Sequence, residues 1–211
     1  MGFANGSVTV IRGDLIHDRG AKQRIVHESE EPITGLAFRA EASLTTLFVA
    51  TTARILKLVI SGRGQGQPAR TLEDAGCGVG CMTVHNDTGD IVVARDDAIY
   101  YYGVDGRGPC VGFDGPKSLL AVYDDYVALV SPPAKNGSTP KSNTLRRFGG
   151  SQAEEIFNTS TFTLLDTDLK FVAHSESLVS EVTTMFMIWG DLFTLAQDGK
   201  VRKFALRSFI C

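Results

Sequence analysis

The chain is poor in the features that usually declare a function. It has four cysteines in 211 residues, Cys77, Cys81, Cys110 and Cys211, too few to staple a disulfide-rich secreted domain. No run approaches the roughly 18 apolar residues that argue for a membrane-spanning helix. The start, MGFANGSVTV, has neither a basic region nor an apolar stretch of the kind that makes a secretory signal. An excess of charge of one sign is missing too: the formal net charge is −3, which gives no reason to expect nucleic acid or an anionic membrane as the main partner. Helical periodicity is absent over any window of 11 or more residues, and only 151–157 (SQAEEIF) reads as a single helical turn. There is one tryptophan, and Trp189-Gly190-Asp191 is not the tryptophan–aspartate signature of WD repeats.

What is present is glycine, 22 residues of it, between short apolar and β-branched runs. The clearest stretch is Ile91 to Gly115, IVVARDDAIYYYGVDGRGPCVGFDG. Ile91 to Ala94 reads as a strand buried on both faces, Asp96-Asp97 as a tight turn, and Ala98 to Tyr102 as a second strand. Asp105-Gly106 turns into a third strand at Cys110 to Phe113. The same unit, an apolar strand, a short turn and a second strand, recurs at 47–60, 91–102 and 192–204. Asn5-Gly6-Ser7-Val8 and Asp198-Gly199-Lys200-Val201 occupy one place in that cycle. Spacing between cycles is roughly 40 to 50 residues, the period of four-stranded propeller blades.

The expected fold is therefore all-β: a WD-like β-propeller of four-stranded antiparallel blades, incomplete, with about four and a half blades. The grouping is a half blade at 1–28 and blades at 32–73, 80–114, 117–149 and 160–211. A seven-bladed ring would need about 300 residues at this period. The chain is accordingly expected to be a fragment that begins halfway through a blade.

Several groupings carry possible chemistry, and each has a plainer reading. Cys77, Cys81 and His85 are metal-capable, but a zinc site needs four ligands at short loop spacings, and no second pair exists. Gly62 to Gly66 resembles a phosphate-cradling loop without a helix to follow it. Asp96-Asp97 and Asp124-Asp125 fall at predicted turns. His17, His27, His85 and His174 lie in different cycles, away from any nucleophile motif. Lys135 and Lys141 lie in, and Arg146 and Arg147 follow, the Pro-, Ser- and Lys-rich segment 131–143, where a solvated loop is expected rather than a contact to acidic lipid or a partner. No catalytic, cofactor or metal residue is assigned, and the chain is read as not an enzyme.

The segments GFANGSVTVIRGDLIHDRG, EPITGLAF, LFVATT and above all VARDDAIYYYGVDGRGPCVGFDG resemble the family of vacuolar protein sorting subunit eleven. LLAVYDDYVALVS and DLFTLAQDGKVRKF continue the resemblance more weakly. It implies an N-terminal β-propeller from a core subunit shared by the HOPS and CORVET tethering complexes. The implied role is a non-catalytic interaction domain in vesicle docking and fusion and in endosome-to-vacuole or lysosome transport. The implied partners are other subunits of those complexes, with indirect contact to Rab GTPases and SNAREs. The implied place is cytoplasmic, peripheral on late endosome and vacuole or lysosome membranes through those partners. The resemblance covers the propeller alone, so the solenoid and RING that follow it in the family carry nothing over to these residues. The alternative is a propeller enzyme or ligand-binding domain that uses a central channel lined by inward carboxylates or histidines.

Overall fold

The computed structural model describes residues 1–14, 19–41, 44–61, 67–133, 160–168, 171–178, 180–188 and 190–205. The described residues form strands and turns and contain no helix. The strands are β1 (Val8–Asp14), β2 (Arg19–His27), β3 (Ile33–Glu41), β4 (Leu44–Thr51), β5 (Ile55–Ser61), β6 (Arg70–Glu73), β7 (Met82–Val84), β8 (Ile91–Ala94) and β9 (Ala98–Gly103). They continue with β10 (Gly106–Gly112), β11 (Leu119–Tyr123), β12 (Tyr126–Ser131), β13 (Ser160–Asp166), β14 (Phe171–Leu178), β15 (Val182–Ile188), β16 (Asp191–Ala196) and β17 (Val201–Ala205).

These strands make a β-propeller of antiparallel blades. Three sheets have four strands, β3 to β6, β7 to β10 and β11 to β14; β15 to β17 form a three-stranded sheet and β1 with β2 a pair. Within each blade, neighbours in sequence are neighbours in the sheet. The first strands of successive blades lie side by side, β3 by β7, β7 by β11 and β11 by β15. The approach is close: a Cβ on Gly35 of β3 would come 2.6 Å from Met82 Sδ of β7, so glycine here spares the Met82 side chain a shift where the two strands meet.

Burial follows strand position. All four residues of β8 are buried, as are Val127 to Val130 of β12 and Thr46 to Thr51 of β4. These middle strands have a sheet neighbour on each side and a blade on each face, which explains their unbroken apolar runs. The fourth strand β10 is mostly exposed. Three apolar clusters of described residues fill the spaces between the sheets. Val8 of β1 packs with Leu47, Val49, Leu56 and Leu58 of the next blade. Phe48 and Ile55 share a layer with Val93, Ile99 and Tyr102, which also reaches Leu120 and Leu129. Phe162, Leu164 and Leu192 form the last layer, where Phe162 stacks on Phe204 at 4.2 Å between ring centres. Full burial of one such side chain contributes about 1.5–3 kcal/mol, and a stacked aromatic pair adds about 0.5–1.5 kcal/mol.

Two sequence expectations are corrected here. The fourth blade does not end at residue 149, and the blade after it does not open at 160. β13 and β14 join β11 and β12, with Val127 opposite Leu165 and Val130 opposite Phe162 along an unshifted register. The long polar segment splits this blade between its second and third strands. Counting strands by proximity in sequence therefore assigned its outer half to the following blade. The expected strand at 145–148 and the helical turn at 151–157 lie outside the described residues. The second correction concerns Ile91 to Gly115, which the repeat reads as the inner, middle and outer strands of one blade: it supplies the second, third and fourth strands, and the innermost is β7.

Candidate functional site

The blades are joined by a repeated device. In two blades the turn between the second and third strand bonds to the linker that leaves that blade, and the turn before β1 bonds in the same way to the linker after β2. Gly6 O accepts from Ser29 N at 3.1 Å, Thr51 O from Cys77 N at 3.1 Å, and Asp96 O from Gly115 N at 2.7 Å. Each turn is built locally. Asn5 Oδ1 accepts from Ser7 N, and Gly6 takes a φ of 82° that side-chain-bearing residues rarely adopt. Thr51 Oγ1 accepts from Ala53 N and Arg54 N and donates to Glu31 Oε2 at 2.6 Å. Arg54 Nε donates to Glu31 Oε1 at 2.8 Å. The Thr51 hydroxyl first, and Arg54 with it, hold the Glu31 carboxyl below its usual range.

The third joint is the most elaborate and is the candidate site. Gly76, Cys77, Cys81, Arg95, Asp97 and Lys117 line a cleft of about 410 Å³ where three blades meet. Arg95 Nε donates to Gly76 O at 3.0 Å, and its Nη2 donates to Ala75 O and, at 2.8 Å, to Tyr102 Oη. The guanidinium lies 4.7 Å from the centre of the Tyr100 ring, and Arg107 lies 4.6 Å from the same centre. Tyr100 Oη donates to Asp97 Oδ2, a bond that lowers the Asp97 carboxyl and raises the tyrosine. Lys117 Nζ donates to the carbonyls of Arg95, Asp96, Phe113 and Gly115. Burial pulls the Lys117 ammonium down.

Cys77 and Cys81 flank the same cleft, and Cys81 Sγ donates to Lys117 O at 3.2 Å. Burial raises the Cys77 thiol, and burial with Cys77 nearby pushes Cys81 up to about 11. Both are neutral thiols at physiological pH and weak nucleophiles. The cleft thus holds cations bonded to carbonyls and protonated thiols, an arrangement that ties blades together.

The structure brings Asp96-Asp97 beside Cys77 and Cys81, a grouping that spacing in the sequence did not reveal. His85 lies apart from it: its ring stands 6.4 Å from that of Tyr101, and its Nδ1 is buried without a partner. Among the described residues no three metal-capable side chains converge. Asp124 takes a φ of 51° in the turn before β12, and Asp125 O accepts from Thr167 N at 2.8 Å. The nearby Asp168 raises the Asp125 carboxyl. His27 packs beside Arg54, and His174 sits near Phe162 and Phe204. His17, Gly62 to Gly66, Lys135, Lys141, Arg146 and Arg147 lie outside the described residues. Sequence reasoning missed Arg95, whose placement depends on the linker after β6, and Lys117, whose placement depends on the β8–β9 turn and its own linker.

Comparison with known proteins fits this picture. The sequence model of the family described as PEP5/VPS11 N-terminal matches residues 1–205. The human vacuolar protein sorting-associated protein 11 homolog is 36% identical over 203 residues, 95% of this chain and 20% of that protein. The Dictyostelium discoideum homolog is 30% identical over 223 residues, again 95% of this chain, and 23% of its own length. The chain thus spans about a fifth of the relatives it matches. Among solved structures, the computationally designed Ika4 protein superposes with a TM-score of 0.54 at 14% identity, covering 85% of this chain and 94% of that one. Saccharomyces cerevisiae Sqt1 superposes with a TM-score of 0.51 at 18% identity, covering 98% of this chain and 69% of that one. At these identities the two structures speak to the fold alone.

Proposed function

Since the chain belongs to the PEP5/VPS11 N-terminal family, we propose that it is a non-catalytic protein-interaction domain in vacuolar protein sorting. Its partners are the other subunits of HOPS- and CORVET-type tethering complexes. It acts in vesicle docking and fusion at late endosomes and the vacuole or lysosome, on the cytoplasmic side and peripheral to the membrane. The observation that carries this reading is the family match along 1–205. The geometry supports it: cations and turn acids near the joints are spent on carbonyls and tyrosines, which makes a rigid frame for rim loops.

The test is reconstitution. Purified chain is mixed at micromolar concentration with each core tethering subunit and followed by size-exclusion chromatography and pull-down. A stoichiometric complex with at least one subunit is expected. A monodisperse, cooperatively melting chain that binds none of them refutes the reading.

A further inference from the structure

The hairpin of β1 and β2 carries a feature unrelated to the joints. Alternation along β1 puts Val8, Val10 and Arg12 on one face. Arg24 lies opposite Val10, and Lys22 lies directly opposite Arg12. Near its start this face is apolar: Val8 is buried, and Val10 and Val26 pack on the neighbouring blade. Further along it becomes cationic. Arg12, Lys22 and Arg24, all exposed, line a cleft of about 620 Å³ with Val10, Gly13 and Gly20.

The charges there are unusual for this chain. Most other described cations have counter-groups: Arg39 meets Asp90 at 2.9 Å, Arg202 meets Glu176 at 3.1 Å, and Lys203 meets Asp191 at 2.6 Å, whereas the exposed Arg70 of β6 stands alone and away from this cleft. Arg95 and Lys117 take backbone carbonyls. Arg12, Lys22 and Arg24 meet neither a carboxylate nor a carbonyl among the described residues, and no described carboxylate lines the cleft. Like charges directly opposite across a strand pair are destabilising. Arg12 and Lys22 are such a pair in a protein whose net charge is −3. An anion with two or more charges relieves that repulsion. Two guanidinium forks beside an ammonium suit the oxygens of a phosphate group, which accept paired bonds from arginine and a point charge from lysine.

We propose that Arg12, Lys22 and Arg24 on the β1–β2 hairpin form a binding site for a phosphate-bearing anion. The ligand group is a phosphate ester, either on a lipid headgroup or on a soluble molecule. The site stands apart from the tethering role, so either reading survives failure of the other.

The test uses the purified chain and two probes. Inositol trisphosphate is titrated by calorimetry. Phosphatidylcholine vesicles, with and without phosphatidylinositol bisphosphate, are assayed by co-flotation. Saturable binding of the soluble probe, weakened by added salt, is expected. Arg12→Gln, Lys22→Gln and Arg24→Gln are each expected to lose about tenfold or more in affinity, the scale of one charge-assisted hydrogen bond. Arg70→Gln, on an exposed cation of β6 outside this cleft, serves as the control and leaves affinity unchanged. Thermal melts of all four variants verify that they fold. Binding of both probes identifies a headgroup site, and binding of the soluble probe alone identifies a soluble phosphate ester; both outcomes uphold the proposal. No binding by folded protein, or an equal loss in Arg70→Gln, overturns it, as does vesicle binding that all three cleft variants retain.

Discussion

Replacing Arg95 by alanine tests whether the cleft at the third joint holds blades together. The change removes one bond to Gly76 O at 3.0 Å, one to Ala75 O and one to Tyr102 Oη at 2.8 Å. It also removes a cation from the Tyr100 face at 4.7 Å. Charge-assisted hydrogen bonds contribute about 1.5–3 kcal/mol each when well buried. Arg95 is half-buried and water reaches part of it, so a value near 1 kcal/mol for each of the three is appropriate, with the ring contact adding at most about 1 kcal/mol. The expected loss is about 3 kcal/mol, a fall in Tm of about 6–12 °C for a domain of this size. Urea unfolding and calorimetry measure it. Arg95→Lys keeps the charge but not the planar fork, and most of the loss is expected to persist. A cycle with Tyr100→Leu isolates the ring contact, expected to couple by about 0.5–1 kcal/mol. A stability change in Arg95→Ala below about 1 kcal/mol refutes the claim that this side chain joins the blades.

Four further outcomes are expected. Burial first, then Arg54, depresses the His27 imidazole below 6.5, and its Nε2 is buried without a partner. The unfolded chain therefore takes up protons on this residue more readily, and stability falls as pH drops below about 6.5. His27→Gln flattens that acid limb in urea titrations run across the range. Iodoacetamide at pH 8 labels the exposed Cys110 in native protein, whereas Cys77 and Cys81, buried and in the second case raised to about 11, label only on unfolding; peptide mapping separates the sites. Gly6→Ala puts a Cβ 2.0 Å from Ser29 O at a φ of 82° and costs about 2 kcal/mol or more, read as faster amide exchange across β1 and β2. Lys117→Met strips the shared donor from four carbonyls and costs about 2 kcal/mol or more in the same unfolding assay.

The sequence displayed the blades because their middle strands are buried on both faces. Runs such as Ile91 to Ala94 need no partner residue to be recognised, and the acidic turns beside them announce themselves by composition. Asp124 illustrates this: its φ of 51° is the backbone geometry that the Asp124-Asp125 pair implied. Legibility failed where pairing is non-local. The register of β12 with β13 joins Ser131 to Thr161 across a long polar segment. Nothing in the local pattern of Phe162 to Leu165 distinguishes the third strand of one blade from the first strand of the next.

The same limit hid the joint. Lys117 reads as one more surface lysine until its ammonium is seen against carbonyls from the β8–β9 turn and its own linker. Backbone carbonyls carry no sequence signature, so a cation that serves them is silent in the chain, whereas one that serves a carboxylate leaves a charge pattern. This asymmetry separates two cationic groups among the described residues. At the joint, carbonyls take up the Lys117 ammonium, and carbonyls with the Tyr102 hydroxyl engage Arg95 Nε and Nη2, which leaves both cations less to offer a ligand. On the β1–β2 hairpin, Arg12, Lys22 and Arg24 have no such partners among the described residues and stand exposed in an open cleft. Stability substitutions therefore belong at the first group and binding substitutions at the second. Arg95→Ala should lower Tm while leaving inositol trisphosphate affinity intact, and Arg24→Gln should do the reverse. If both variants moved both readouts, the division between a joint and a binding cleft would be wrong.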